Sequence, residues 1–434
     1  MDRKLGIDEE FWRRLGLCAI VNITLIAKVN GHLPVEAFRQ ALSATCKAYP
    51  LLGVCFEVTR GGPRFVPVGE DGPLPLRTTE RTSESQWMSE AEREHNTSFL
   101  PDRGPLFRAV LLSGASASEI ILTIHHGIAD LCAVYIMEDL LSSCGRVLEG
   151  QSPAFSAETL PDPVESRVPR RYRRLSGVGL LRVLRRRWRA RSAVFKQLSR
   201  SEPDCPMAER TNHFVLQSLS PDETRGLIEA CRSHRVSFYG ATATAFLIAM
   251  GRHLRLREGE MMALSNAVSL RSYLEPPLGE RVCCCAVGAI TTSHGAPDAS
   301  RFWRLAAEAR AAVSEAIDRG ELFFPAYPLR RWFLLWARSR ERFAHTLSRN
   351  TRTAGVLSSL GALRISTDYG SMRLRSLVIL GPPHVCKGLF LIAYTLGGIA
   401  CFTFMYARPL IDPALAEEVA QGTLAVLREH AALP

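Results

Sequence analysis

The sequence predicts a mixed α+β fold built from two domains. Its 434 residues exceed the length of one ordinary domain. Strand and helix patterns alternate in both halves without a fixed-period repeat, and 47% hydrophobic against 22% charged residues is a globular composition. A proline-rich stretch at 153–169 marks a boundary. We therefore predict an N-terminal domain at 1–165, a basic crossover at 166–205 and a C-terminal domain at 206–434.

The first elements read as strand, helix and strand. Asn22–Asn30 alternates and is rich in β-formers. Pro34 then opens a helix predicted over Val35–Tyr49, which Pro50 ends. Leu51–Val58 is expected to be extended.

A β-hairpin follows, with predicted arms at Leu106–Leu112 and Glu119–His125 around a turn at 113–116. Gly127 breaks the second strand, and a helix is predicted over Ala129–Leu141. Two histidines thus lie where a strand ends and a helix begins, a position from which side chains can face a cleft.

The C-terminal half has the same mixed character. Ser220-Pro221-Asp222-Glu223 has the pattern of a helix capping box with proline at the first helical position. The other predicted elements are strands at Asn212–Leu219 and Met262–Leu270, and helices at Phe238–Leu254, Ser300–Arg319 and Pro413–His430.

The net charge of +11 comes from one segment. Thirteen of the 54 Lys and Arg residues lie between Ser166 and Ser201, with no acidic residue among them, so 41 basic and 43 acidic residues remain elsewhere. The segment can be a solvated crossover, a membrane-surface contact or a docking site for an acidic acyl carrier protein. Arg, Trp and Leu also mix at 330–342, which favours peripheral membrane contact through 167–200 and 330–342. We expect no nucleic-acid partner.

The twelve cysteines show no Cys-x-x-Cys pair. Their one cluster, Cys283-Cys284-Cys285, lies in an apolar run, and we predict that alternate residues of this run point to opposite faces. No four-ligand zinc pattern is visible, so we predict no metal site and mostly buried, reduced thiols. The N-terminal residues lack a secretory h-region, and no apolar run reaches the roughly 18–20 residues of a membrane span. These features predict a cytoplasmic protein, with a peripheral position at the membrane as the alternative.

The segment His125-His126-Gly127-Ile128-Ala129-Asp130 carries the candidate chemistry. A neutral imidazole can take the proton that an alcohol or amine loses while attacking a thioester. A thioester already has a good leaving group, so no Ser or Cys nucleophile is needed. A metal-binding pair and two satisfied core histidines are the alternative interpretations. Asp130 can face the histidine or turn away to pair with an arginine, and a buried carboxylate favours the second arrangement.

The segment resembles the HHxxxD signature of the condensation-domain acyltransferase superfamily, in particular the polyketide-associated phthiocerol dimycocerosyl transferases. Further stretches resemble motifs of this group in order and spacing, so the resemblance spans roughly residues 20–430. They are Tyr49–Leu52 with Phe56, Phe99–Leu106, Val268–Arg271 with Pro276-Pro277, and Ser358-Ser359-Leu360-Gly361. The chain departs from the family at Leu131, where a glycine is usual, and at Ser359, where an asparagine is usual.

The resemblance implies two chloramphenicol-acetyltransferase-like lobes in a V shape with an interlobe tunnel. It implies His126 as the catalytic base, supported by His125, Gly127 and a salt bridge from Asp130 to Arg271. Ser358, Ser359 and Gly361 would form a turn or line the tunnel.

The leading hypothesis is an O-acyltransferase of lipid or natural-product biosynthesis. Its co-substrate would be acyl-CoA or an acyl-phosphopantetheine on a carrier protein, with no bound cofactor, and its acceptor would be a hydroxyl. The alternatives are an amide-forming enzyme with an amine acceptor and a catalytically silent docking module of a biosynthetic assembly.

Overall fold

A computed structural model describes residues 3–68, 74–100, 102–153, 159–172, 194–198, 205–323, 326–350, 353–383 and 387–431. The chain forms two compact units, and neither unit is continuous in sequence. The first contains residues 1–167, 271–286 and 364–382; the second contains 168–270, 287–363 and 383–434. The contiguous division predicted from the sequence therefore differs from the observed one, because two segments of the C-terminal half join the first unit.

The first unit is built on a six-stranded sheet with β7 (Ala117–His125) in its interior. Every residue of β7 after Ala117 is buried, as expected for a strand with neighbours on both sides. The other five strands are β2 (Asn22–Asn30), β5 (Leu76–Glu80), β6 (Phe107–Ser113), β13 (Asp368–Tyr369) and β14 (Met372–Leu380), in the order β13-β14-β2-β7-β6-β5. A smaller sheet pairs β1 (Arg3–Lys4), β4 (Gly62–Pro67) and β3 (Val54–Thr59).

Four helices belong to the same unit: α1 (Ile7–Gly16), α2 (Val35–Ala48), α3 (Gln86–Asn96) and α4 (Cys132–Leu148). The α2 helix packs against α4, and α3 packs against β2. The predicted helix at Ala129–Leu141 is observed with different ends. It begins at Cys132 because the carboxylate of Asp130 accepts the backbone N–H of Cys132 and holds the preceding residues in a turn.

The second unit has a seven-stranded sheet covered by helices. Its strands are β8 (Val194–Lys196), β9 (Thr211–Ser218), β10 (Glu260–Ser269), β11 (Val287–His294), β12 (Gly355–Ala362), β15 (Leu389–Leu396) and β16 (Ile399–Arg408). Its helices are α5 (Pro221–Ser233), α6 (Phe238–Leu254), α7 (Phe302–Asp318), α8 (Ala326–Trp336), α9 (Arg340–Asn350) and α10 (Pro413–Ala431). The small-residue helix α6 lies at the centre of the core, packed against α7 and α10.

Several predicted elements are confirmed. The β2 strand and the α6 helix have the predicted bounds. The capping box is present, since Ser220 accepts the N–H of Glu223 and Glu223 accepts the N–H of Ser220. The hairpin of β6 and β7 is present as well.

Two local predictions are wrong. Cys283-Cys284-Cys285 lies in a buried loop before β11 and not in a strand. Ser358, Ser359 and Gly361 lie within β12, so the predicted turn is wrong, while the alternative that they line a tunnel stays a prediction. The β12 register against β15 shifts between Ser359 and Gly361, and Gly361 has a φ of +69°, a backbone conformation that glycine adopts without strain.

Most of the basic crossover, residues 173–193 and 199–204, lies outside the described residues. No helix among the described residues has the length and apolarity to cross a membrane. The eleven cysteines of the described ranges are free thiols, and seven of them are buried. The V-shaped arrangement and the tunnel stay predictions.

Candidate active site

The two histidines end a strand that is hydrogen-bonded on both sides. The His125 N–H donates to the carbonyl of Leu106 at 2.9 Å, and the His126 N–H donates to the carbonyl of Val21 at 2.8 Å. The N–H of Ile128 donates to the carbonyl of His125 at 3.0 Å, which closes a tight turn. Backbone hydrogen bonds alone therefore fix the chain at His126.

His125 is a structural residue. Its ring is buried, and Nδ1 accepts the N–H of Gly127 at 2.9 Å. Burial, with a smaller contribution from His126, lowers the pKa of His125 to about 3, so the ring is neutral. The aromatic rings of Phe56 and Phe99 lie edge-on to it, at centroid distances of 5.3 and 6.1 Å. Phe56 and Phe99 belong to two of the stretches that resemble condensation-domain motifs, and both stretches thus meet at the His125 ring.

Two glycines allow this close packing. A Cβ atom on Gly16 would lie 2.6 Å from Nε2 of His125, and one on Gly127 would lie 2.9 Å from Nδ1. Either distance is shorter than real Cβ contacts allow. Gly127 is therefore required by the His125 ring two residues before it, and Gly16 by the same ring, which is far away from it in sequence.

His126 is half-buried, and its ring is held on one edge and one face. Nδ1 lies 2.9 Å from the carbonyl oxygen of Ala129, and Cys285 Sγ lies 3.5 Å from the same nitrogen. Because a carbonyl oxygen can only accept, Nδ1 must carry the proton in the neutral ring. The lone pair is then on Nε2, which makes no hydrogen bond within the described ranges. Burial lowers the pKa of His126, against the opposing effects of its backbone environment and Asp130. The geometry thus favours a neutral base acting through Nε2.

Trp12 covers one face of this imidazole. The two rings stack at a centroid distance of 4.2 Å and an interplanar angle of 16°. The α1 helix that carries Trp12 is fastened at its N-terminus, where Glu9 accepts two hydrogen bonds from Arg3 and one from the N–H of Gly6. The N–H of Ile7 also donates to Glu165. An indole face can stabilise an imidazolium, so Trp12 is placed to favour a positive charge on the His126 ring.

Sequence reasoning missed both Trp12 and its helix. A signal was present, because Asp8, Glu9 and Glu10 open the helix and Arg13 and Arg14 close it, a charge distribution that favours helix ends. Nothing local in the sequence indicated that Trp12 contacts His126.

Asp130 turns away from the histidine and pairs with Arg271, as the resemblance implied. The Asp130 Oδ1 to Arg271 Nη2 distance is 2.7 Å, and both side chains are buried. The carboxylate also accepts the N–H groups of Cys132 at 3.0 Å and Ala286 at 2.9 Å. Burial alone would lower the pKa of Arg271, but the Asp130 carboxylate, together with Cys132 and Cys284, raises that pKa. Asp130 therefore anchors the turn that supplies the Ala129 carbonyl.

Arg271 extends the same network to residues 271–286. Its guanidinium donates to the carbonyl oxygens of Gly279 at 2.6 Å and Cys284 at 3.0 Å. The cysteines of this segment pack on the motif loop, with the Cys283 thiol 3.3 Å from the carbonyl oxygen of Ile128. Burial raises the pKa of Cys284 well above its usual value, which favours an inert thiol. These contacts explain why a segment of the C-terminal half joins the first unit.

The predicted site residues thus fall into two groups. The first unit brings together His125, His126, Gly127, Asp130 and Arg271, whereas Ser358, Ser359 and Gly361 lie on β12 of the second unit. The described residues contain no group of three or more His, Cys, Asp or Glu side chains suited to holding a metal ion.

Residues 209–342 match the family model described as phthiocerol/phthiodiolone dimycocerosyl transferase C-terminus. The transferase of that name from Mycobacterium sp. (strain JLS) is 23% identical over 292 residues, which is 67% of each chain. The chain is therefore similar in sequence to the dimycocerosyl transferases.

Solved structures show the fold. The trichothecene 15-O-acetyltransferase of Fusarium sporotrichioides matches 99% of this chain and 94% of its own, with a TM-score of 0.75 at 13% identity. The first condensation domain of the CDA synthetase matches 100% of this chain and 98% of its own, with a TM-score of 0.70 at 15% identity. The predicted chloramphenicol-acetyltransferase-like fold class is confirmed, because the chain shares its fold with an acetyltransferase and a condensation domain.

Proposed function

We propose that this protein is an O-acyltransferase in which His126 is the general base. The observation that supports this most directly is the hydrogen bond from Nδ1 to the Ala129 carbonyl, which leaves Nε2 free to accept a proton. The sequence relationship to a dimycocerosyl transferase and the fold shared with an O-acetyltransferase support an acyl transfer that forms an ester.

The proposed reaction is a direct displacement. The hydroxyl oxygen of the acceptor attacks the thioester carbonyl carbon while its proton moves to Nε2 of His126. The tetrahedral intermediate collapses as the C–S bond breaks, and the proton passes to the departing thiolate. The products are an ester and a free thiol, so no oxidant, reductant or covalent enzyme intermediate is required.

The surrounding residues have distinct roles in this proposal. Asp130 and Arg271 hold the motif turn, the Ala129 carbonyl fixes the tautomer, and Trp12 stabilises the imidazolium that forms in the transition state.

The donor would be acyl-CoA or an acyl-phosphopantetheine on a carrier protein, and both present the same thioester to the base. The partners would include a peripheral membrane surface at 167–200 and 330–342, in a cytoplasmic location. The similarity to a condensation domain supports an amine acceptor as the second candidate, since the same base would deprotonate it.

The test is turnover of a panel of acyl-thioesters with alcohols or amines, with products identified by mass spectrometry. Direct product detection is needed because the chain carries twelve thiols of its own. We expect an ester-forming rate that falls about 10²- to 10⁴-fold in His126→Ala, the usual contribution of a general base. His32→Ala removes an exposed histidine of the same unit and should keep the wild-type rate.

Each outcome separates the hypotheses. Amide products without ester would favour the amine acceptor. No turnover of any thioester by the folded wild-type protein would favour a silent docking module. A His126→Ala variant with the full rate would contradict the proposed mechanism.

A further inference from the structure

The α8 helix has one face packed within the second unit and one face in solvent. On the packed side Leu334 and, just past the helix end, Ala337 are buried, and the ring of Phe333 lies 5.0 Å from that of Phe343 on α9. On the opposite side, Trp332, Leu335 and Trp336 are 64%, 53% and 57% exposed. Two large aromatic residues and a leucine are thus presented to water by a helix that is otherwise anchored.

These three residues form one continuous apolar face. With about 100° of rotation per residue, Trp332, Leu335 and Trp336 lie within an arc of roughly 100°. The other exposed large hydrophobic residues of the described ranges lie on separate segments, a scatter that is normal for a protein surface. Three such side chains together on one helix face indicate a contact surface.

Cationic side chains surround this face. Arg331, Arg338 and Arg342 are exposed, and Glu341 is the one acidic residue between positions 330 and 342. The Arg342 guanidinium lies 5.4 Å from the centroid of the Trp336 ring, and the Arg338 Nε donates to the carbonyl of Leu335 at 3.1 Å. Two of these cations, Arg338 and Arg342, are therefore held beside the apolar face.

We propose that the exposed face of α8 docks on an anionic phospholipid surface. Indole rings and leucine favour the depth at which headgroups meet acyl chains, while arginines pair with lipid phosphates. The combination of apolar centre and cationic rim matches such a surface on both counts. An acidic carrier protein would match the arginines but would leave the indoles without an apolar counterpart.

The test is cosedimentation of the full chain with sucrose-loaded vesicles at low salt. Phosphatidylcholine vesicles are compared with vesicles containing about one third phosphatidylglycerol. We expect binding to the anionic vesicles and a loss of at least ~10-fold in affinity for W332S/W336S, because each indole removes a large apolar area from water on insertion. The matched control is V58S/L100S, whose side chains are 65% and 63% exposed on the first unit, and it should bind like the wild type.

A second measurement distinguishes insertion from purely electrostatic binding by the basic crossover. Brominated phosphatidylglycerol should quench part of the tryptophan fluorescence of the wild type, and W332F/W336F should lose that quenched part. Thermal unfolding of each variant confirms that the fold is retained.

Three outcomes would overturn the proposal. They are equal vesicle affinity of the wild type and W332S/W336S, absence of lipid binding by the wild type, and a wild-type dimer that W332S/W336S converts to a monomer in place of any lipid effect. The last outcome would assign the face to a second copy of the chain.

Discussion

Replacing Arg271 by methionine should destabilise the first unit strongly. Methionine keeps much of the side-chain length but removes the charge, so the buried carboxylate of Asp130 loses its ion pair and keeps only the N–H groups of Cys132 and Ala286. Breaking a buried pair from one side costs about 3–5 kcal/mol of unfolding free energy, a large share of the ~5–15 kcal/mol of an ordinary domain. The carbonyl oxygens of Gly279 and Cys284 lose a donor as well.

The segment itself supplies a matched control. Arg281 is ten residues further along, pairs with Glu138 and Asp139, and has a half-exposed side chain. Arg281→Met should cost no more than about 1 kcal/mol, because solvent screens such pairs. The same chemical change is thus compared at a buried ion pair and at one whose arginine is half-exposed.

The assay is urea unfolding combined with hydrogen exchange. The chain has two compact units and need not unfold in one step, so exchange of peptides from residues 126–132 and 271–286 reports on the affected network. These peptides should exchange faster in Arg271→Met and not in Arg281→Met. Activity should also fall, by roughly 10²-fold, since the turn that positions the Ala129 carbonyl loses its anchor.

A double variant tests whether the two charges act as a pair. Asp130→Asn combined with Arg271→Met leaves no unpaired charge, so its loss of stability should be smaller than the sum of the single losses by about 2–3 kcal/mol. Strict additivity, or an Arg271→Met variant as stable as Arg281→Met, would refute the reasoning.

Three further predictions concern the histidines and their neighbours. Burial lowers the pKa of His125 to about 3, so between pH 6.5 and 3 the unfolded chain binds a proton that the folded chain excludes. The unfolding free energy should fall by about 1.4 kcal/mol per pH unit as the pH decreases through that range. When it is measured by urea unfolding at several pH values, the unfolding free energy of His125→Gln should depend less steeply on pH by that amount. Trp12→Leu should lower kcat about 2- to 30-fold, the rate equivalent of a cation–π contact of about 0.5–2 kcal/mol, with Trp12→Phe between it and the wild type; equal kcat values in all three would exclude this role. Gly16→Ala should destabilise by about 1–3 kcal/mol, because the new methyl group meets the His125 ring, whereas Gly53→Ala has open space around it and should be neutral in thermal unfolding.

Local elements were predictable because their signals are local. The alternation of Asn22–Asn30, the small apolar residues of Phe238–Leu254 and the capping box at Ser220 each fix a structure within one segment, and all three are confirmed. The prediction for Cys283–Cys285 used the same reasoning and was wrong. That segment is buried against the motif loop and Arg271, and this burial produces an apolar run without a strand.

The candidate site was predictable only in part because it depends on contacts that are distant in sequence. The HHxxxD segment and the partnership of Asp130 with Arg271 were accessible through resemblance, since both lie in recognisable motifs. The stacking of Trp12 on His126 joins residues 114 positions apart and has no motif, so no periodicity could indicate it. The same holds for Gly16, whose need for a small side chain is set entirely by the ring of His125.

The two adjacent histidines have different surroundings although they share one strand end. His125 is the last residue of β7, where its buried ring accepts a hydrogen bond through Nδ1. His126 follows the strand, where the backbone turns, and its Nδ1 donates to the carbonyl of Ala129. The two neutral rings therefore carry opposite tautomers, with the proton on Nε2 in His125 and on Nδ1 in His126. Exchanging the tautomer of His126 would break its bond to Ala129 and place the proton on Nε2, the nitrogen that would accept one in the proposed mechanism. The backbone turn thus selects the nitrogen that carries the lone pair, and in the proposed mechanism Asp130 would support catalysis through that turn without touching the imidazole.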